Sequence, residues 1–180
     1  HKLTLFANDT SGQLSKVLVI FNINLSKGYD IDYWEFKGGK TTDFDSINKS
    51  LMENLNNVIL EKFNCEKIEY IGPLNIKRDL NISKYINISF NRIEVESEFI
   101  PELNKQAKLT LCNLPFVNPR ILRDNEVCSN TICVKNSYSD GILEFNVTDF
   151  TVYSAEETPI TPSPSGGGGS GGGGSGGGRA

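Results

Sequence analysis

Histidine is almost missing from this chain: His1 is the only one among 180 residues. A lone imidazole at the first position leaves no internal base for a Ser/His/Asp or Cys/His arrangement. It also removes the commonest zinc ligand, and a C-x4-C pair with no second close pair is poor spacing for that metal. Excess positive charge is absent as well. With 18 Lys and Arg against 22 Asp and Glu, the net charge is −4, which lacks the basic footprint of a nucleic-acid binder or a polybasic membrane patch. Long apolar runs are missing: the longest, 17–21, is far short of the roughly 20 residues of a membrane-spanning helix. No charged start, apolar core and small-residue cleavage site is present, so an exported form is expected to begin after a leader or within a longer chain. A phosphate loop is excluded too, because Gly38-Gly39-Lys40-Thr41 lacks the preceding glycine at the required spacing. Lys40 reads as a turn residue.

What the chain does contain is organised around 107–153. Ala107-Lys108-Leu109-Thr110-Leu111 and Leu143-Glu144-Phe145-Asn146-Val147 alternate with period two. Such alternation marks half-buried strands, with Leu109, Leu111, Leu143, Phe145 and Val147 facing one core. Ser139-Asp140-Gly141 is a hairpin turn signal leading into the second run. After Val147 the apolar parity shifts to 150 and 152, which predicts a β-bulge near Thr148-Asp149. Pro115 and Pro119 argue against a central strand between 114 and 124.

Elsewhere, 2–7 alternates, Asn8-Asp9-Thr10-Ser11-Gly12 is a turn cluster, and 14–25 reads as a strand buried on both faces. A further run is expected over 31–37. Ile47, Leu51, Leu55 and Val58 have helical spacing, but Asn48, Asn54, Asn56 and Asn57 oppose a helix. A loop or one short helical stretch near 46–55 follows, then a strand at 58–62. Short strands are expected at 68–71, 74–76, 80–82, 85–89 and 92–96, separated by polar punctuation. The pattern is all-β, a sandwich of short strands, with a short β-solenoid as the alternative. Residues 1–38 form N-terminal strands of the same β domain and 39–157 its main body. From 158 to 180 a Pro-rich stretch runs into Gly/Ser blocks, native or engineered, with no apolar surface to bury.

Four cysteines suit two disulfides. Cys128 and Cys133, five positions apart, close a small ring, and Cys65–Cys112 follows by elimination; the alternative is four buried free thiols. Sequons occur at Asn8, Asn24, Asn48, Asn81, Asn87 and Asn146, about twice what random order of this composition gives. An AT-rich genome that favours Asn, Lys and Ile is the bland source of that surplus, and glycosylation in an exported protein the functional one. Asn146 and Glu144 share the solvent side of their strand. Disulfides and sequons together point to an extracellular or cell-surface address.

One resemblance rests on particular stretches. They are 39–44 (Gly-Lys-Thr-Thr-Asp-Phe), 67–70, 101–107 and 109–114, then Pro119-Arg120-Ile121-Leu122-Arg123-Asp124, the Cys128/Cys133 pair, and Phe145-Asn146-Val147-Thr148-Asp149-Phe150-Thr151-Val152-Tyr153. Across roughly 39–155 the sequence resembles a β-domain of archaeal cell-surface, S-layer-like glycoproteins. Cys112 stands where such domains carry an aromatic residue. The resemblance implies a Thr/Pro/Gly-rich stalk after the domain, with a membrane anchor downstream of this chain, and brings no catalytic residues.

The expected function is therefore non-catalytic and structural or adhesive, with other surface proteins or cell-envelope glycans as partners, no nucleic acid and no cofactor. Tyr33, Trp34 and Phe36, near Tyr29, could instead form an aromatic platform for a sugar, although core is the commoner fate of such a cluster. Glu94, Glu96 and Glu98 alternate on a solvent face and lack the spacing of a calcium loop. A filament subunit assembled by strand donation through the apolar N-terminal strand, and a secreted hydrolase with paired carboxylates, are the other readings.

Overall fold

Period-two alternation at 107–111 and 142–147 pairs these two segments as neighbours. Leu143 lies opposite Leu111, Phe145 opposite Leu109 and Val147 opposite Ala107, and all six side chains are buried. The computed structural model describes residues 2–8, 10–20, 28–63 and 65–160. In chain order its strands are β1 (Lys2–Asn8), β2 (Leu14–Ile20), β3 (Ile31–Asp32), β4 (Ile59–Lys62), β5 (Glu66–Tyr70), β6 (Leu80–Asn81) and β7 (Ile86–Ser89). They continue with β8 (Arg92–Val95), β9 (Ala107–Leu111), β10 (Pro119–Arg123), β11 (Glu126–Val127), β12 (Cys133–Ser139), β13 (Ile142–Val147) and β14 (Val152–Glu157). Two single-turn helices, α1 (Lys49–Met52) and α2 (Ile82–Tyr85), interrupt them, and no helix of the described residues is long and apolar enough to cross a membrane.

Two five-stranded antiparallel sheets, ordered β12-β13-β9-β5-β4 and β11-β10-β14-β8-β7, pack face to face as a sandwich. Between them lie Leu60, Ile68, Leu109 and Phe145 from the first sheet, with Ile88, Ile93, Ile121 and Tyr153 from the second. The ends are closed by Ile31, Tyr33, Phe36, Phe44, Met52, Leu74, Ile82 and Leu103 from the connecting segments, so 31–36 share the core of 44–155. Gly28 stands where the chain passes over α1. A Cβ there would lie 2.5 Å from the Ile47 carbonyl oxygen and 2.7 Å from the Met52 methyl, so the approach needs glycine. The N-terminal segment forms a hairpin, β1 on β2, with Leu3 opposite Val19 and Leu5 opposite Val17.

Several expectations are corrected. The parity change after Val147 is no bulge. Residues 148–151 carry the chain from one sheet to the other, Phe150 is buried on the way, and burial resumes at Tyr153 and Ala155. The irregularity sits in β12 instead, where the register shifts between Lys135 and Ser137. Pro119 does not prevent an inner strand, because it opens β10 and β11 covers that strand at Leu122 and Arg123, leaving proline's missing donor without a ladder partner to disappoint. The run at 31–37 is a two-residue strand followed by a 3-10 turn at Trp34–Phe36. At 74–76 there is an isolated bridge between Leu55 and Leu74 and a bond from Ile76 N–H to the Met52 carbonyl, not a strand. Leu14 is exposed, against the expectation of burial on both faces; the side chains of 17–20 and residues 21–27 lie outside the described residues. Asp140 and Gly141, with φ of 51° and 76°, make the predicted two-residue turn.

Four rings join the layers. Phe150 lies 5.7 Å from Tyr70 and 6.4 Å from Tyr153, and Tyr153 lies 6.1 Å from Phe145. The Tyr70 hydroxyl is buried with no hydrogen-bond partner among the described residues, and that burial pushes its pKa up. An unpaired buried hydroxyl loses its hydration with no bond in return. Tyr70→Phe is therefore expected to stabilise the fold by about 1 kcal/mol. A higher urea midpoint at unchanged slope is the readout, and a lower midpoint contradicts the assignment.

Candidate functional site

The proposed aromatic platform is divided by the fold. Tyr33 and Phe36 are buried in the core, with Tyr33 packed edge-on to Phe44 at 5.1 Å and its hydroxyl donating to Asp43 at 3.0 Å. Trp34 alone of the three faces solvent. The 3-10 turn explains the split, since it breaks the alternation that would have placed Tyr33, Glu35 and Lys37 on one side.

All four cysteines are paired as expected, Cys65 with Cys112 and Cys128 with Cys133. The first bond joins the β4–β5 turn to the end of β9 within one sheet. The second joins the sheets: Cys133 opens β12, while Cys128 follows β11 and its N–H bonds to Ile121 of β10. Lys135 crosses the same edge, its ammonium donating to the Pro119 carbonyl at 2.9 Å.

The six sequons part into different settings. Asn48 Oδ1 accepts from Leu51 N–H at 3.1 Å and Ser50 Oγ at 2.7 Å, capping α1, and Asn81 Oδ1 accepts from Lys84 N–H at 2.8 Å, capping α2. Asn87 is exposed on edge strand β7, and Asn146 on the outer side of β13 accepts from the Asn136 amide at 2.8 Å. Asn8 ends β1 with its side chain outside the described residues, as is the whole of Asn24. Glu94, Glu96 and Glu98 border a hollow beside Phe99 and Thr151, and Glu94 is ion-paired to Arg92 at 3.1 Å. Among the described residues no group of three or more His, Cys, Asp or Glu is placed to hold a metal ion.

The best-organised polar surface was not singled out by the sequence. It is the outer face of the sheet built on β9. Strand register aligns Glu61, Lys67, Thr110, Glu144 and Ser137 in one row across all five strands, and Ile59, Glu69, Lys108, Asn146 and Val134 in the next. Ion pairs tie the rows together: Lys67–Glu69 at 3.1 Å, Lys108–Glu69 at 2.8 Å and Lys108–Glu144 at 3.4 Å. Beyond the first row stands the Cys65–Cys112 bond. Alternate polar residues at 67 and 69, 108 and 110, 144 and 146 were the available signal. Cross-strand register, which turns them into rows, is not written in any one strand.

Burial raises the Glu69 carboxyl, but the Lys108 and Lys67 ammonium groups outweigh it and hold the carboxyl below its ordinary range. Lys108 is raised, chiefly through its bond to Glu69. Elsewhere the Arg78 guanidinium, bonded to both Glu102 oxygens at 2.6 and 2.9 Å, lowers the Glu102 carboxyl.

No protein-family model matches the chain, and neither a curated protein nor a solved structure resembles it significantly.

A lowered carboxyl stabilises the fold above its unfolded pKa and loses that contribution as pH falls through the folded one. Stability is therefore expected to decline as pH drops through about 4.3 and below, with Glu69→Gln flattening the decline. Urea midpoints across acid pH test this, and an equally steep decline in the variant rejects it. The raised Lys108 acts oppositely, its contribution persisting until pH exceeds about 10.4.

Proposed function

We propose that this chain is an exported, non-catalytic structural or adhesive module, part of an archaeal cell-surface protein and carried on its Pro/Gly/Ser segment. The observation that carries the reading is the use of every cysteine in a disulfide, one spanning 47 residues within a sheet and one tying the two sheets. Disulfides persist in oxidising surroundings and are kept reduced in most cytosols. By loop-closure entropy the longer bond stabilises the fold by about 4 kcal/mol and the shorter by about 2 kcal/mol. Stability of that kind suits a domain that must survive outside the cell without chaperones. Its outer face supports the same reading, since ion pairs and the exposed sequon Asn87 occupy the sheet surfaces. The resemblance of 39–155 to archaeal surface β-domains supplies the cellular context. The Pro-rich and Gly/Ser segment, read from the sequence as a linker over 158–180, lies outside the described residues from 161 onward.

Intact mass of the protein taken from its host without reductant tests this. The expected result is a gain of about four mass units on reduction, for two disulfides opened, with further loss on deglycosylation centred on Asn87 and Asn146. Four alkylatable thiols before reduction overturn the exported reading.

A further inference from the structure

We propose that the groove running from Phe63 past Glu61 to Thr110, on the outer face of the β9 sheet, binds the edge of a neutral saccharide chain. The proposal deepens the adhesive reading by placing its contact surface, and it rests on that reading for its biological setting.

Thr110 carries the inference. Leu109 and Leu111 face the core, so Thr110 faces outward; yet it is only 3% exposed, and its hydroxyl has no partner among the described residues. A hydroxyl so placed costs stability unless something bonds to it. It lies in the floor of a hollow of about 260 Å³ lined also by Lys40, Glu61, Lys67 and Glu144. Glu61 is 8% exposed, and its carboxylate accepts one long bond, from Lys40 N–H at 3.4 Å. Buried acceptors and a buried hydroxyl without adequate partners are what a ligand's polar groups would complete.

Charge decides the class of ligand. Two carboxylates in the hollow oppose an anion, and two ammonium groups oppose a metal ion. Lys67 is already paired to Glu69, and Glu144 to Lys108. What remains is a near-neutral set of acceptors with one hydroxyl and the Lys40 ammonium, which fits groups that both donate and accept, as sugar hydroxyls do. Glu61 also borders a second hollow of about 220 Å³, whose rim carries Phe63. Phe63 is 68% exposed and has φ of 57°, a conformation rare for a bulky residue, which holds its ring out at the β4–β5 turn. Lys62 beneath it is neutralised by Glu35 at 2.8 Å. An apolar ring beside buried polar groups suits the C–H face and hydroxyl edge of one sugar chain. The row from Glu61 to Thr110 crosses two strand spacings, about 10 Å, and Phe63 extends the groove beyond β4, so a short oligosaccharide fits it better than a single sugar.

The test is amide chemical-shift titration of the full chain with neutral hexose and N-acetylhexosamine oligosaccharides, beside glycine and inorganic phosphate. Saturable shifts confined to residues around Phe63, Glu61 and Thr110, with at least one neutral oligosaccharide, are expected. Thr110→Val should fold with an equal or higher melting temperature, because it removes an unpaired hydroxyl, and should weaken binding at least about tenfold. Phe63→Ala should weaken it comparably. Overturning results are no saturable shift with any saccharide, shifts with glycine or phosphate instead, or a Thr110→Val protein that binds like the parent. None of these touches the exported reading, which is decided by the thiol count.

Discussion

Residues 148–151 are the constraint on which the sandwich depends, because there one chain segment leaves the first sheet and enters the second. Backbone and side-chain groups on both sides of Phe150 are held. Phe150 N–H bonds to Asn104 Oδ1 at 2.8 Å, its carbonyl accepts from Ser97 Oγ at 3.2 Å, and the Asp149 carbonyl accepts from the Tyr153 hydroxyl at 2.8 Å. Arg123 of β10 is paired to the Asp149 carboxylate at 2.5 Å. With the backbone so fixed, the Phe150 ring can sit only between Tyr70 of one sheet and Tyr153 of the other. Burial pushes the Tyr153 hydroxyl up to about 12, so it stays protonated and keeps donating at any ordinary pH. A crossing held by four independent bonds sets the separation and stagger of both layers.

The edges of the sheets are then what remains open to unwanted pairing. Beside β4, Thr41 and Thr42 bond to the strand: Thr42 N–H to the Ile59 carbonyl, Thr42 Oγ1 from Ile59 N–H, and Thr41 Oγ1 from Glu61 N–H, each at 2.9 Å. Side-chain hydroxyls thus take ladder bonds that a neighbouring strand would otherwise offer. β12 is broken by its register shift and tied to the opposite sheet by Cys128–Cys133 and Lys135. β11 is two residues long. On β7 the exposed residue is Asn87, a sequon, and a glycan there would cover the remaining edge. The disulfides and the edge devices act on the same weakness, which is that a sandwich of short strands has much perimeter for its core.

Much of this was legible where a signal is local. Alternation placed β9 and β13 and named their buried residues, Asp140-Gly141 placed the turn that leads into β13, and cysteine spacing gave Cys128–Cys133. Legibility failed where a residue's meaning depends on a distant partner. The parity change after Val147 has the same appearance for a bulge and for a crossing between sheets, and only Tyr70 and Asn104, far away in sequence, distinguish them. Trp34-Glu35-Phe36 reads as strand by composition, but Phe36 is needed in the core beside Lys62 and a 3-10 turn delivers it there. The polar rows were hidden for the same reason: Thr110 is unremarkable within its strand and becomes informative once Lys67 and Glu144 are known to flank it.

The richness in asparagine has a structural source that the sequence did not separate from glycosylation. Asn57, Asn91, Asn113 and Asn125 hold positive φ, from 52° to 67°, at turns, where asparagine pays less than other side chains. Asn48 and Asn81 cap helical turns, and in Asn48-Lys49-Ser50 the serine that completes the sequon also bonds the capping oxygen. A sequon can therefore arise from capping chemistry alone. That reasoning removes Asn48 and Asn81 as evidence of address while leaving Asn87, which is exposed on an edge strand and neither caps a helix nor occupies a left-handed turn. The case for export thus rests on the paired cysteines first and on the sequons second, because capping accounts for two of the six and none of the four left-handed asparagines lies in one.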